Sequence, residues 1–253
     1  MIFETRNLAF TGVVVVAVAA FFALGVWQLG RHQDRSAADA EKRARRDLPR
    51  LELSDRVLSR PADSLDWRRA RATGRFDYER ELVLRSRVHD GIPGVYVVTP
   101  LVLESGRGLP VLRGWLPAAD GFDAPLEGGR PAVDARDTAV TVEGLLVAPP
   151  PGELTGVDTV TSEGRAHPVV GQLNDAALEH LTGDAVPGLY LHGSSGGSTG
   201  RSGPRSGGLT LPRPVDMPTV EGGAHLTYAV QWFTFAAITL VGGGIFLGGR
   251  IRG

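Results

Sequence analysis

The chain has 253 residues, with 27 Lys and Arg against 28 Asp and Glu, and no cysteine. A formal charge of −1 gives no electrostatic case for a nucleic-acid partner. The missing cysteines exclude disulfides, thiolate metal sites and cysteine nucleophiles, and leave either redox compartment open.

The first element is Leu8–Leu29, uncharged throughout and fenced by Arg6 and Arg31. A helix that crosses a hydrocarbon core needs roughly 20 apolar residues, so residues 8–29 are expected to form a transmembrane helix. Ala17, Ala19 and Ala20 offer a signal-peptide alternative, but the apolar run continues unbroken to Leu29, longer than a usual signal core. Ser36–Arg46 follows as a helical extension or a solvated connector.

From Trp67 the texture changes to short β-like runs broken by glycine and proline. Strands are expected over Arg68–Phe76, Glu81–Val88, Gly94–Leu103, Leu109–Leu116, Ala139–Ala148 and Val186–His192. Ser105–Gly108 reads as a hairpin turn, and Asn174–Leu181 as a short helix capped by Asn174. Pro93, Gly94, Gly114 and Pro117 are expected to shape turns, and Trp115 to sit in a core. Residues 193–208, rich in Gly and Ser, cannot bury apolar surface and read as a flexible loop. A second uncharged apolar run, Leu226–Leu247, completes the pattern, with a spanning helix expected over residues 225–248. Gly242, Gly243 and Gly244 within it suit close helix approach.

The expected fold is thus a membrane protein in which two transmembrane helices flank a mostly-β (α+β) domain, residues 30–224. Basic residues cluster after the first span, at Arg31, Arg35, Lys42, Arg43, Arg45 and Arg46, with Arg6 before it. By the positive-inside rule alone the middle domain would face the cytoplasm.

No nucleophile elbow, phosphate-binding loop, dinucleotide fingerprint or metalloprotease histidine pair is present, so the enzyme case is weak. One constellation stands out at the start of the second span, where His225, Tyr228 and Trp232 share a helical stripe, with Gln231 beside them. A helix N-terminus favours neutral imidazole, the form that ligates metals including haem iron. The same stripe also reads as interface anchoring, with Tyr228 and Trp232 at headgroup depth and His225 at the water boundary.

Five motifs stand in order along the chain: LGVWQLGR from Leu24 to Arg31, GRFD from Gly74, the Arg87…GIPG…Thr99-Pro100-Leu101 segment, RGWLP from Arg113, and HLTYAVQWF from His225. Together they resemble the surfeit locus protein 1 family, which assists cytochrome c oxidase assembly. The resemblance implies a multi-pass protein of a bacterial plasma (inner) membrane whose central domain is extracytoplasmic, against the charge count. It implies a non-enzymatic chaperone that binds haem a transiently and assists its insertion into the oxidase catalytic subunit, among other respiratory-chain components and membrane lipid. His225 is then the ligand of the haem iron, with Tyr228, Gln231, Trp232, Trp27 and Gln28 as haem contacts. Trp27 and Gln28 are also expected to pack against the second span, and Arg87 and Arg113 to meet solvent or a neighbouring carboxylate, with haem propionates as the alternative partner. The family often has asparagines before the histidine, where this chain has Gly222, Gly223 and Ala224. Two rivals remain. A scaffold that binds no haem predicts a replaceable His225, and a membrane-anchored enzyme predicts a pocket with clustered, pKa-shifted groups in the β domain.

Overall fold

Strand alternation builds most of the chain. In the computed structural model, described for residues 2–132, 136–154, 157–182, 188–193, 205–206, 209–210, 212–220 and 225–251, the expected strands all form. They are β2 (Arg69–Phe76), β3 (Leu82–His89), β4 (Ile92–Leu103), β5 (Gly108–Pro117), β6 (Val140–Val147) and β9 (Tyr190–Gly193). To these are added β1 (Leu51–Glu52), the hairpin β7 (Asp158–Ser162) and β8 (Arg165–Val170), and the small pair β10 (Arg205–Ser206) and β11 (Leu209–Thr210). The rest of the expected Gly/Ser loop beyond Gly193 lies outside the described residues, as does the start of the expected strand at Val186.

The chain divides into two units, Arg43–Pro218 and the pair of segments Met1–Lys42 and Thr219–Gly253. In the first, nine strands pair in the order β1-β2-β6-β9-β5-β4-β3-β8-β7, and β2 also pairs with β4. That extra pairing closes β2, β6, β9, β5 and β4 into a ring. The length of β4 allows it: its far end (Leu101–Leu103) pairs with β2, while its near end pairs with β3. Alternate residues of every ring strand enter one core, including Ala70 and Ala72, Leu101 and Leu103, Leu109 and Val111, Val142 and Leu146, and Leu191. Leu58 of α2 (Asp55–Leu58) and Leu65 of α3 (Ala62–Leu65) join it. A second core gathers Val83, Val95, Val97, Leu116 and Val169. In the third, α4 (Asp175–Thr182) lays Ala177, Leu178 and Leu181 on Leu82, Leu84 and Leu112. The cap is as expected, since the Ala177 N–H donates to Asn174 Oδ1 at 2.8 Å.

Pro93, Gly94, Gly114 and Pro117 depart from expectation, because they lie inside β4 and β5 and not in turns. Their glycines answer to close approach. A Cβ on Gly94 would stand 2.2 Å from the Leu116 carbonyl oxygen and 2.3 Å from Trp115 Nε1. Gly114 has φ +153° and lies against the Arg213 carbonyl, which pairs with Trp115 in an isolated bridge. The turn expected at Ser105–Gly108 is present, with Gly106 at φ +86°.

In the second unit, α1 (Ile2–Asp47) continues well past its apolar part, which resolves Ser36–Arg46 as a helical extension. It packs antiparallel to α5 (His225–Ile251). Phe10 meets Phe246 at 4.7 Å between ring centroids, Phe21 stacks on Trp232 at 5.8 Å, and Phe22 meets Phe233 edge-on at 5.5 Å. Small residues bring the backbones together: a Cβ on Gly25 would fall 2.6 Å from the Phe233 ring, and one on Gly243 2.7 Å from Val14 Cγ1. Of the three expected glycines only Gly243 serves the seam, since Gly242 and Gly244 have open space around them. Val14 is β-branched and holds one rotamer in a helix, so it cannot turn aside. Gly243→Leu should therefore weaken the helix pair by about 1–3 kcal/mol, whereas Gly242→Leu should leave it unchanged. Thermal unfolding of both variants in detergent checks this, and equal effects would refute the seam assignment.

Candidate functional site

The stripe that opens α5 is only partly gathered by the fold. Ala229 is almost wholly buried on the seam, and Trp232 is half-buried there against Phe21. Tyr228 sits at the seam's edge, 51% exposed. Gln231 is exposed, two residues from Ala229 and so on the far face of α5. His225 is the first residue of α5, and its side chain lies outside the described residues. On α1, Gln28 is half-buried one turn from the buried Gly25, whereas Trp27 is 58% exposed. The expectation that Trp27 packs on the second apolar helix is thus corrected: two residues from Gly25, it falls on the outer face. The fold brings Gln28 and Trp232 to one seam, and leaves Trp27 and Gln231 outside it.

Both helices are long and apolar enough to cross a membrane. Their outer faces carry exposed Leu8, Val13, Val15 and Val16 on α1, and Ile238, Leu240, Val241 and Ile245 on α5. A soluble unit rarely exposes an apolar surface of that extent.

The sheet unit holds a feature that the sequence did not disclose, a buried ionic network. Glu81, fully buried ahead of β3, is its centre. Its Oε1 accepts from Thr99 Oγ1 at 2.8 Å and from Arg113 Nη1 at 3.0 Å. Its Oε2 accepts from Arg130 Nε at 2.8 Å and Nη2 at 2.5 Å. Arg130, 2% exposed, also donates to Glu163 at 2.8 Å, and Glu163 is clamped by both terminal nitrogens of Arg136 at 2.6 and 2.7 Å. A bulge makes this possible. Val97 pairs with Gly114 but Val98 with Leu112, so Arg113 is the extra residue and its side chain is re-aimed. It lies over the rings of Phe76 and Tyr78 and donates to the Gly129 carbonyl as well. Arg87 donates to the Gly171 carbonyl at 2.8 Å and covers Tyr96. Arg113 thus finds a protein carboxylate, and Arg87 a main-chain oxygen.

His167 completes the network, with Nε2 3.1 Å from Arg130 Nη2. A guanidinium can only donate, so Nε2 accepts and the ring is neutral. Burial pushes the His167 imidazole below its ordinary value of 6.5, and burial does the same to His192 on β9. The Arg136 hydrogen bonds hold Glu163 down at about 2. Clustered, shifted groups therefore exist in the β domain, but the carboxylates of Glu81 and Glu163 are taken up by arginines. The cavity of about 320 Å³ lined by Arg50, Arg69, Glu143 and Met217 shares no residue with them. Among the described residues no three His, Cys, Asp or Glu side chains gather as a metal site.

These shifts set an acid limit on stability. The unfolded imidazoles take up protons near pH 6.5, while the buried ones stay neutral to lower pH, so the unfolded chain binds more protons and stability falls as pH drops below 6.5. Glu163 adds a second loss from its ordinary 4.5 down through about 2. The melting temperature of the full chain should be flat above pH 7 and fall below 6.5. His167→Gln, which cannot be protonated, should flatten part of the first fall, and an unchanged slope would show that His167 is not its source.

Comparison with known proteins follows the same outline. A SURF1-like protein of Mycobacterium tuberculosis is 26% identical over 242 residues, covering 95% of this chain and 82% of that one. Surfeit locus protein 1 of Arabidopsis thaliana is 33% identical over 111 residues, 39% of this chain and 31% of that one. A SURF1-like protein of Rickettsia felis is 29% identical over 105 residues, 41% of this chain and 44% of that one. The model of the SURF1 family matches residues 15–237, from within α1 through the whole sheet unit into α5, and the chain belongs to that family.

Proposed function

We propose that this protein is a bacterial plasma-membrane assembly factor for cytochrome c oxidase, without enzymatic activity of its own. It is held by α1 and α5, with the sheet unit on the extracytoplasmic side, and it binds haem a and assists its insertion into the oxidase catalytic subunit. Family membership supports the oxidase link. The observation that carries the haem reading is the seam itself, where an aromatic, close-packed helix pair ends at the His225 position. The donor set suits the group. Trp232 and Phe21 offer flat apolar rings, His225 is the iron ligand, and Gln28 and Tyr228 are polar groups at the water boundary, where a haem buries its ring and keeps its propionates wet. Bound haem supplies the iron and macrocycle, and the chain's residues bind and orient it. Trp27 and Gln231, on the outer faces, contact lipid or the oxidase.

The continuous α1 helix bears on orientation. At 1.5 Å per residue Arg46 stands about 20 Å beyond Arg31, although the whole run stays within the roughly 15–20 residues over which the positive-inside count is made. Arg45 donates to the Asp63 carbonyl within the sheet unit. The basic run thus belongs partly to the domain's own structure.

The test is the absorption spectrum of the full chain, purified in mild detergent from cells that make haem a, beside His225→Ala. A haem a spectrum that is lost or shifted in the variant is the expected result. A colourless parent would sink the haem reading and leave a scaffold that stabilises an oxidase intermediate.

A further inference from the structure

One cavity of the sheet unit has no part in the function proposed above. It measures about 320 Å³ and is lined by Arg50, Arg69, Ala70, Glu143, Gly144 and Met217. That volume lies at the lower end for small-molecule sites, about 300–1,000 Å³. Strand pleating gathers its cations. Arg69 and Arg71 stand two apart on β2, on the face opposite to the core residues Ala70 and Ala72. Glu143 on β6 is directly across from Arg71.

The charges here do not balance. Glu143 accepts from Arg71 Nε at 2.8 Å and pairs with Arg50 Nη1 at 2.8 Å. Glu52 lies 3.8 Å from Arg50 and 3.7 Å from Arg71. Two carboxylates therefore stand beside three arginines, and Arg69 makes no hydrogen bond or ion pair among the described residues. Directly opposite Arg69 on β6 is Leu145, which offers a guanidinium nothing. Arg50 follows the end of α1 by three residues, and Met217 precedes the start of α5 by eight. The two stretches that join the sheet unit to the apolar helices thus both line this cavity.

We propose that the cavity binds a phosphate group, with Arg69 and Arg50 as its donors and Met217 against the apolar part of the molecule that carries it. Phosphate oxygens point in several directions and accept from guanidinia on separate segments at once, where a planar carboxylate matches a single fork. Arg50 has five N–H donors and spends one terminal nitrogen on Glu143. Met217 is unbranched and packs on varied shapes. The phosphate comes from the aqueous phase or from the headgroup of a membrane phospholipid. Neither source requires the haem reading.

The experiment follows thermal melts of the full chain in a phosphate-free sugar detergent. Inorganic phosphate is added in one arm and short-chain phosphatidylglycerol in the other, each against chloride of equal ionic strength. At least one should raise the melting temperature of the parent and of Arg75→Gln, whose arginine is exposed on the same strand but does not line the cavity. Arg69→Gln should need about tenfold more ligand, or beyond, for the same rise, as loss of a charged hydrogen bond implies. A rise with phosphatidylglycerol alone assigns a lipid headgroup, and a rise with inorganic phosphate assigns a soluble phosphate. No rise in either arm overturns the site, as does a titration that Arg69→Gln leaves unchanged or that Arg75→Gln weakens equally. If Arg69→Gln fails to fold, Arg69→Lys decides, because it keeps the charge without the fork and an unchanged titration there overturns the site.

Discussion

Glu81→Ala should lower the stability of the chain by about 3–5 kcal/mol, the usual cost of breaking a buried ion pair from one side. For a unit of this size that is a fall in melting temperature of about 10 °C or more. The substitution strips Arg130 of two hydrogen bonds and Arg113 of one. Arg130, at 2% exposure, cannot recover them from water. Thr99 Oγ1 is left in the core with its best acceptor gone. The cost is that of stranded charge, so removing both partners should hurt less than removing one. Glu81→Met combined with Arg130→Met should melt above Glu81→Ala alone. If the double variant melts lower than the single, packing around these side chains sets the cost and not their charge. Circular dichroism melts of the full chain in detergent distinguish the two.

Trp115→Ala should cost a similar 3–5 kcal/mol, as deletion of a large core aromatic does. Trp115 is 2% exposed, stacked on His89 at 5.3 Å and covered by the Arg213 guanidinium at 5.8 Å. Its backbone pairs with Arg213 in both directions, at 2.7 and 2.8 Å, so the side chain fills a space framed by fixed main chain. The indole N–H is buried against Gly94 with no hydrogen-bond partner among the described residues. An unmet buried donor costs about 1–3 kcal/mol. Trp115→Phe removes it along with some volume, so Phe should cost less than half of what Ala costs. A Phe variant that melts as low as the Ala variant would mean that the indole nitrogen finds a partner in solution.

The two apolar helices and the main strands were legible because their signals are local. An uncharged run of spanning length, or a β-branched segment bounded by glycine, carries its pattern within a few residues. The small-residue seam was half legible. Three glycines stood in a row, but only the helix register shows that Gly243 meets Val14 while its neighbours face outward. The same register separates Gln28 from Trp27 and Trp232 from Gln231, although each pair is adjacent in the sequence. Adjacent helical residues differ by about 100°, and no motif states which of them faces the partner.

The sequence by itself determined the order of elements, the two spanning-length helices, the Asn174 cap, the Ser105–Gly108 turn and the motifs that place the chain in its family. Tertiary structure alone decided the closed ring of strands, because β4 is long enough to serve two neighbours. It alone decided the ionic network, because Glu81, Thr99, Arg113, Arg130, Glu163 and His167 are scattered over five segments of chain and meet only through a bulge at Arg113 and the pairing of β3 with β8. Local pattern reports periodicity and turn chemistry. Which charges share a core depends on long-range pairing, and a single sequence carries no direct trace of that.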